Sequence, residues 1–297
     1  MNTLIFLFLL ALPAISFAAA TPQLLVSAGK TGWTNPVISR DGSKLAFSNA
    51  SHSEIRVLVI GEDSSRQVVL NAGVGRRFVF EPGDQERVTY RRRIAALPEQ
   101  PERLLSVSLY MLDPVSRTQN VRGDLFGPYL IGNQIYYRDS LTAPLISLAG
   151  KARKDGPYWN TTTGQLMVKD PNGKAVYTSD PTERFGAMEI SPDGNWVAAA
   201  QTEPSRALLV IRVSDGKVIK ENNAADPGWA GNSMSLVCVR QEGSNPPELY
   251  RLRLPKGTGD VLFSSPKFSP ETPVLNVDGS RAVFVSQGSI YSVDALP

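Results

Sequence analysis

Apolar positions along this chain come in short runs rich in β-branched and aromatic residues, and no long stretch places them at the spacing of an amphipathic helix. Between the runs fall polar turns with a repeated form. "ISRDGSKLAFS" (38–48), "ISPDGNWVAAA" (190–200) and "LNVDGSRAVFV" (275–285) each put an Asp-Gly turn in front of a short apolar strand. In Ser191-Pro192-Asp193-Gly194 the proline presets φ, and the glycine supplies the positive φ that closes a hairpin with the twist of its strands. Each copy therefore predicts the hairpin between the first two strands of a sheet.

Weaker turns fill the intervals: Pro82-Gly83-Asp84, Gly132-Asn133, Thr163-Gly164 and Gly231-Asn232. Each hairpin leads into a second strand pair, as "EIRVLVI" does through Gly61 to "RQVVL", and "ALLVIRV" through Asp215-Gly216 to "KVIKE". A unit of four antiparallel strands cannot bury both faces alone, so the units must stack around an axis. The expectation is an all-β propeller of four-stranded antiparallel blades, seven by the turn count. The middle units, Phe126 to Lys154 and Tyr158 to Arg184, are short for four strands, and fusing them gives six. The last unit stops after three strands, and "QLLVS" (23–27) at the other end of the chain is a ready fourth that closes the ring.

Two further features bound the class. Leu4 to Ala20 is an apolar run ending in Ser16-Phe17-Ala18-Ala19-Ala20, which reads as a cleavable signal peptide (1–20) cut after Ala18 or Ala20, followed by a propeller over 21–297. It is short for a membrane span, and no cysteine follows it to accept a lipid. A periplasmic or secreted protein is expected, with no stable membrane insertion after cleavage. With 31 Lys and Arg against 28 Asp and Glu, the charge surplus is too small to make nucleic acid the default partner. The one cysteine, Cys238, sits in "LVCV" and predicts a packed, inert thiol, so a large core rather than disulfides must hold the fold.

The Ser-Pro-Asp-Gly turn followed by a short apolar strand resembles the WD-repeat-like units of the TolB-type β-propeller family. Ser39–Phe47, Ser191–Ala199 and Asn276–Phe284 carry the resemblance, the last with Asn-Val in place of Ser-Pro. That family spans periplasmic TolB, prolyl-oligopeptidase-like enzymes and oligogalacturonate lyases. The resemblance implies an exported propeller that binds another macromolecule of the bacterial envelope.

Catalytic readings need residues this chain lacks. His52 is the one histidine; it lies in the polar loop "NASHSEI", with no nucleophile elbow to serve. The lyases of the family hold metal with several histidines, which one cannot replace. No catalytic residue, cofactor or metal ligand is assigned. The alternative is a polysaccharide-acting hydrolase or lyase with acidic residues assembled in the central channel. The binding candidates are aromatics at the start of each unit and arginines of the second: Trp33, Arg76, Arg77, Tyr158, Trp159 and Trp229. Trp33, Tyr158 and Trp229, beside Gly or Pro, are expected to be the exposed ones, whereas Phe78, Phe126, Phe185 and Phe268 suit blade packing. The expected partner is an envelope protein or a cell-surface glycan, bound by a monomer.

Overall fold

The computed structural model describes residues 21–70, 73–74, 77–92, 103–109, 115–117, 126–160 and 163–295. The predicted leader and Arg76 lie outside them. The described secondary structure is entirely strand, and no described helix is long and apolar enough to cross a membrane.

Seven antiparallel sheets follow one another along the chain, as expected for a seven-bladed propeller. Blade 1 covers 33–70, blade 2 78–116, blade 3 126–153, blade 4 156–178, blade 5 184–222 and blade 6 224–264. Blade 7 joins 271–294 to Gln23–Val26. Closure follows the predicted route: Gln23 pairs with Ser292, Leu24 with Tyr291 and Val26 with Ile290. The two short middle units are separate sheets, and blade 4 keeps three strands where the other six have four.

The repeated turn is held the same way each time. In blade 1 the Asp41 carboxylate accepts from Ser39 Oγ (2.6 Å) and Ser43 N (3.0 Å), and Ser39 Oγ accepts from Lys44 N (2.9 Å). Blade 5 repeats this with Asp193, Ser191, Asn195 and Trp196. In blade 7 Asn276 replaces the serine, and its side-chain oxygen accepts from Arg281 N (2.9 Å). Gly42, Gly194 and Gly279 have φ of 73°, 78° and 75°, the left-handed values at which glycine carries no steric cost.

Apolar burial is organised by seam. Leu45 and Phe47 of blade 1 pack on Val283 and Val285 of blade 7, and Leu249 and Phe263 of blade 6 on Ala282 and Phe284 of blade 7. Phe263, Phe268, Phe284 and Tyr291 form one aromatic cluster, so Phe268 is used for packing. Cys238 is fully buried in the seam of blades 5 and 6. Its burial pushes the thiol pKa far above its usual value.

Candidate functional site

The first strand of each blade lies at an edge of its sheet, and those of six blades enclose a central cavity of about 1060 Å³. Its wall comes from blades 1, 2, 3, 5, 6 and 7, and no residue of Gly156–Trp159 is among its lining. Blade 4 stands back from the axis. In its place Gly132 N of blade 3 donates to Pro192 O of blade 5, and Ile190 of blade 5 packs on Ile131, Tyr136 and Leu145 of blade 3. The first turns of other blades are also tied together, through Arg40 Nη1 to Asn133 Oδ1 (2.7 Å), Asp193 N to Ser233 Oγ (2.9 Å) and Asn232 N to Val277 O (2.9 Å).

The channel strands are bulged. Register slips at Thr34/Val37, Phe126/Tyr129, Ala225/Gly228 and Glu271/Val274, where the sequence reads Asn35-Pro36, Gly127-Pro128, Asp226-Pro227 and Thr272-Pro273. Proline has no N–H to give the ladder, so the slip falls where a donor is missing. Asn35, Asp226 and Thr272 each take a left-handed φ, at 51°, 53° and 43°.

Across the wall between blades 2 and 5 runs an ion pair. Arg77 donates to both oxygens of Glu189, one through Nη1 at 2.8 Å, and its Nη2 also reaches Met188 O at 3.1 Å. Its guanidinium lies over the Tyr129 ring, 4.9 Å from the centroid. Burial works against the Arg77 charge, but the Glu189 carboxylate outweighs it and raises the pKa above the ordinary arginine value. Arg138, 2 % exposed, also lines the cavity, with Nη1 donating to Pro157 O at 2.7 Å. Among the acidic residues lining the cavity, Glu189 is held by Arg77 and Asp193 by its turn, whereas Asp226 is exposed.

The candidate residues of the sequence scatter. Arg77 and Trp229 line the channel. Trp33 is half-buried outside that lining; its ring meets Phe47 edge-on at 5.0 Å and its Nε1 donates to Ser27 O at 2.8 Å. The expectation of an exposed Tyr158 is corrected: it is 7 % exposed, and its hydroxyl donates to Lys154 O at 3.0 Å. No residue of its strand lines the channel, and its hydroxyl also lies 3.2 Å from Arg153 O, so Tyr158 does not sit at the mouth. Trp159 pairs with Leu166 on the same strand pair. Of the described arginines of blade 2, Arg87 turns to Ser106 Oγ (3.0 Å) and Glu81 (3.9 Å), while Arg77 faces the channel. His52 is half-buried, with Nδ1 3.4 Å from Ser48 Oγ and 3.5 Å from Asn35 Nδ2. Asn35, Asp226 and Thr272 were not among the sequence candidates. Their signal was the Xaa-Pro pair that recurs shortly before the first turn.

No family model matches the chain, and no curated protein matches it in sequence. Solved structures do share its fold. An oligogalacturonate lyase in complex with manganese superposes with a TM-score of 0.61 at 14% identity, over 94% of this chain and 97% of that one. A putative TolB from Agrobacterium tumefaciens gives 0.50 at 12% identity, over 90% and 91%. The tricorn protease gives 0.53 at 16% identity, over 89% of this chain and 25% of that one. At these identities the likeness establishes the propeller fold alone. Among the described residues no group of three or more His, Cys, Asp or Glu is placed to hold a metal ion.

Proposed function

We propose that this chain is an exported, non-enzymatic propeller that binds an envelope protein or a cell-surface glycan through its central channel. The observation that carries this reading is the state of the channel carboxylates. Glycoside chemistry by acid and base needs two free carboxyl groups facing one bond. Here Glu189 is committed to Arg77 and Asp193 to its turn, which leaves Asp226 as a polar contact in a wide cavity. A cavity of this size with apolar walls and a few placed polar groups is suited to holding a ligand.

The test is affinity capture from envelope extract on the immobilised protein, run beside an assay for turnover of acidic and neutral polysaccharides. A specific partner released by excess soluble protein, with no turnover, is the expected result. Turnover of a polysaccharide with no captured partner overturns the reading.

A further inference from the structure

We infer that the channel receives the C-terminal end of a partner polypeptide, with its apolar side chains against the walls and its terminal carboxylate on Arg138. The place for that carboxylate exists because blade 4 stands back from the axis. Every other lining residue lies in a first strand or the short segment bordering it, whereas Arg138 ends the second strand of blade 3 and Leu141 follows it. These two form the wall where blade 4 contributes none. Arg138 pairs with Phe126 on the strand ladder, at the end of the blade away from the tied turn at Gly132 and Asn133.

Arg138 is a buried cation without a counterion among the described residues. Its Nη1 donates to Pro157 O and, at 3.4 Å, to Leu141 O, and its Nε is sealed in without an acceptor. Nη2 has no acceptor among the described residues either. Unlike Nε it is not shut off from solvent, so it is the group Arg138 offers to the cavity. Arg251, buried to a similar degree at 4 % exposed, shows the ordinary arrangement: the Asp260 carboxylate meets it at 2.8 Å. A guanidinium taken out of water with no anion beside it is costly. The other cations of the wall have protein partners, Arg77 in Glu189 and Arg40 in Asn133. What is missing at Arg138 is an acceptor of one negative charge.

The surroundings select the ligand. A carboxylate brings one charge and forms a short, charge-assisted bond to a guanidinium, whereas a phosphate brings more charge than one arginine offsets. Around Arg138 the wall is chiefly apolar, through Phe78, Phe126, Phe185, Met188, Trp229 and Val274. Apolar side chains gain by burial there, and the hydroxyls of a sugar would lose their water without replacement. The first strands also lie at sheet edges, and main-chain groups at an edge pair with an extended peptide. A peptide end combines all three: one carboxylate, apolar side chains and a main chain to pair.

This assignment rests on the binding reading above and is tested separately from it. A pool of pentapeptides built from Ala, Val, Leu and Phe is made once as free acids and once as C-terminal amides. Both pools are passed over the immobilised full protein, retained peptides are identified by mass spectrometry, and the best-retained sequence is titrated by calorimetry in both forms. The free acid is expected to bind at least about tenfold more tightly than the amide, and more tightly than digalacturonate. Arg138→Met keeps an apolar stem and removes the charge, so it should bind acid and amide alike. The contrast between acid and amide is read on the wild-type protein, so it decides even where the variant folds poorly. Equal binding of acid and amide, tighter binding of digalacturonate, or an acid preference that survives in Arg138→Met overturns the site. If envelope capture persists through such a result, the peptide site fails and the binding function stands.

Discussion

Arg77 and Glu189, 112 residues apart, join blade 2 to blade 5 by a two-pronged ion pair that passes in front of Tyr129 of blade 3. Their side chains are 33% and 30% exposed, so the pair lies between a surface bridge and a buried one. Removing Arg77 strands a half-buried carboxylate. Arg77→Ala is expected to cost about 1–2 kcal/mol and to lower the melting temperature by about 2–4 °C. Replacing both partners, Arg77→Met with Glu189→Leu, should recover part of that loss. A single variant that melts with the wild type would show that the bridge holds nothing together.

Two glycines separate steric from conformational demand. Gly228 lies 1.9 Å, measured from an added Cβ, from Pro273 O, whereas Gly42 has φ 73° and nothing within 4 Å. Gly228→Ala must push blades 6 and 7 apart and is expected to cost about 3 kcal/mol or more. Gly42→Ala meets only backbone strain, about 1 kcal/mol. Chemical denaturation measures both, and equal losses would contradict the packing described between those strands.

Ring closure predicts a large effect from a small deletion. Without residues 23–27 the strand Ser289–Asp294 loses its outer partner, and Leu25 and Val26 leave the seam with Phe47 and Val283. The deleted protein should melt markedly below the full one, followed by circular dichroism. An unchanged melting curve would mean that the two ends of the chain do not meet.

The turns carry a pH signature. Burial tends to raise the Asp41 pKa, but the Ser39 hydroxyl and the Ser43 N–H outweigh it and lower it from 3.8 to about 2. A depressed carboxylate contributes stability that is present above its unfolded pKa and lost as pH falls through the folded value. Asp41→Asn should therefore be less stable than wild type at neutral pH, with the gap closing between about pH 4 and pH 2. A gap that stays constant to the lowest pH would place the loss elsewhere than in the charge.

Blade number, blade order and the closing strand were legible because each depends on neighbours in sequence: a hairpin turn, an alternating strand, an unfinished last unit. The turn at Asn276 was readable despite its changed residues, since asparagine offers the same acceptor as serine. The channel was less legible. Which first strand reaches the axis depends on how the blades pack, so nothing in "DGPYWN" told Tyr158 that its blade would stand back. The pairing of Arg77 with Glu189 joins residues from separate repeats, and no local pattern links them. The bulges were visible as recurring Xaa-Pro pairs, but their meaning required the left-handed φ at Asn35, Asp226 and Thr272.

The strand Gln23–Val26 is the first described strand and completes the final sheet. Any process that delivers the polypeptide N-terminus first must keep this segment waiting while every other blade is made. Its partner, Ser289–Asp294, is the last of the described strands. A chain cut short between the two keeps an unmatched opening strand and an open ring.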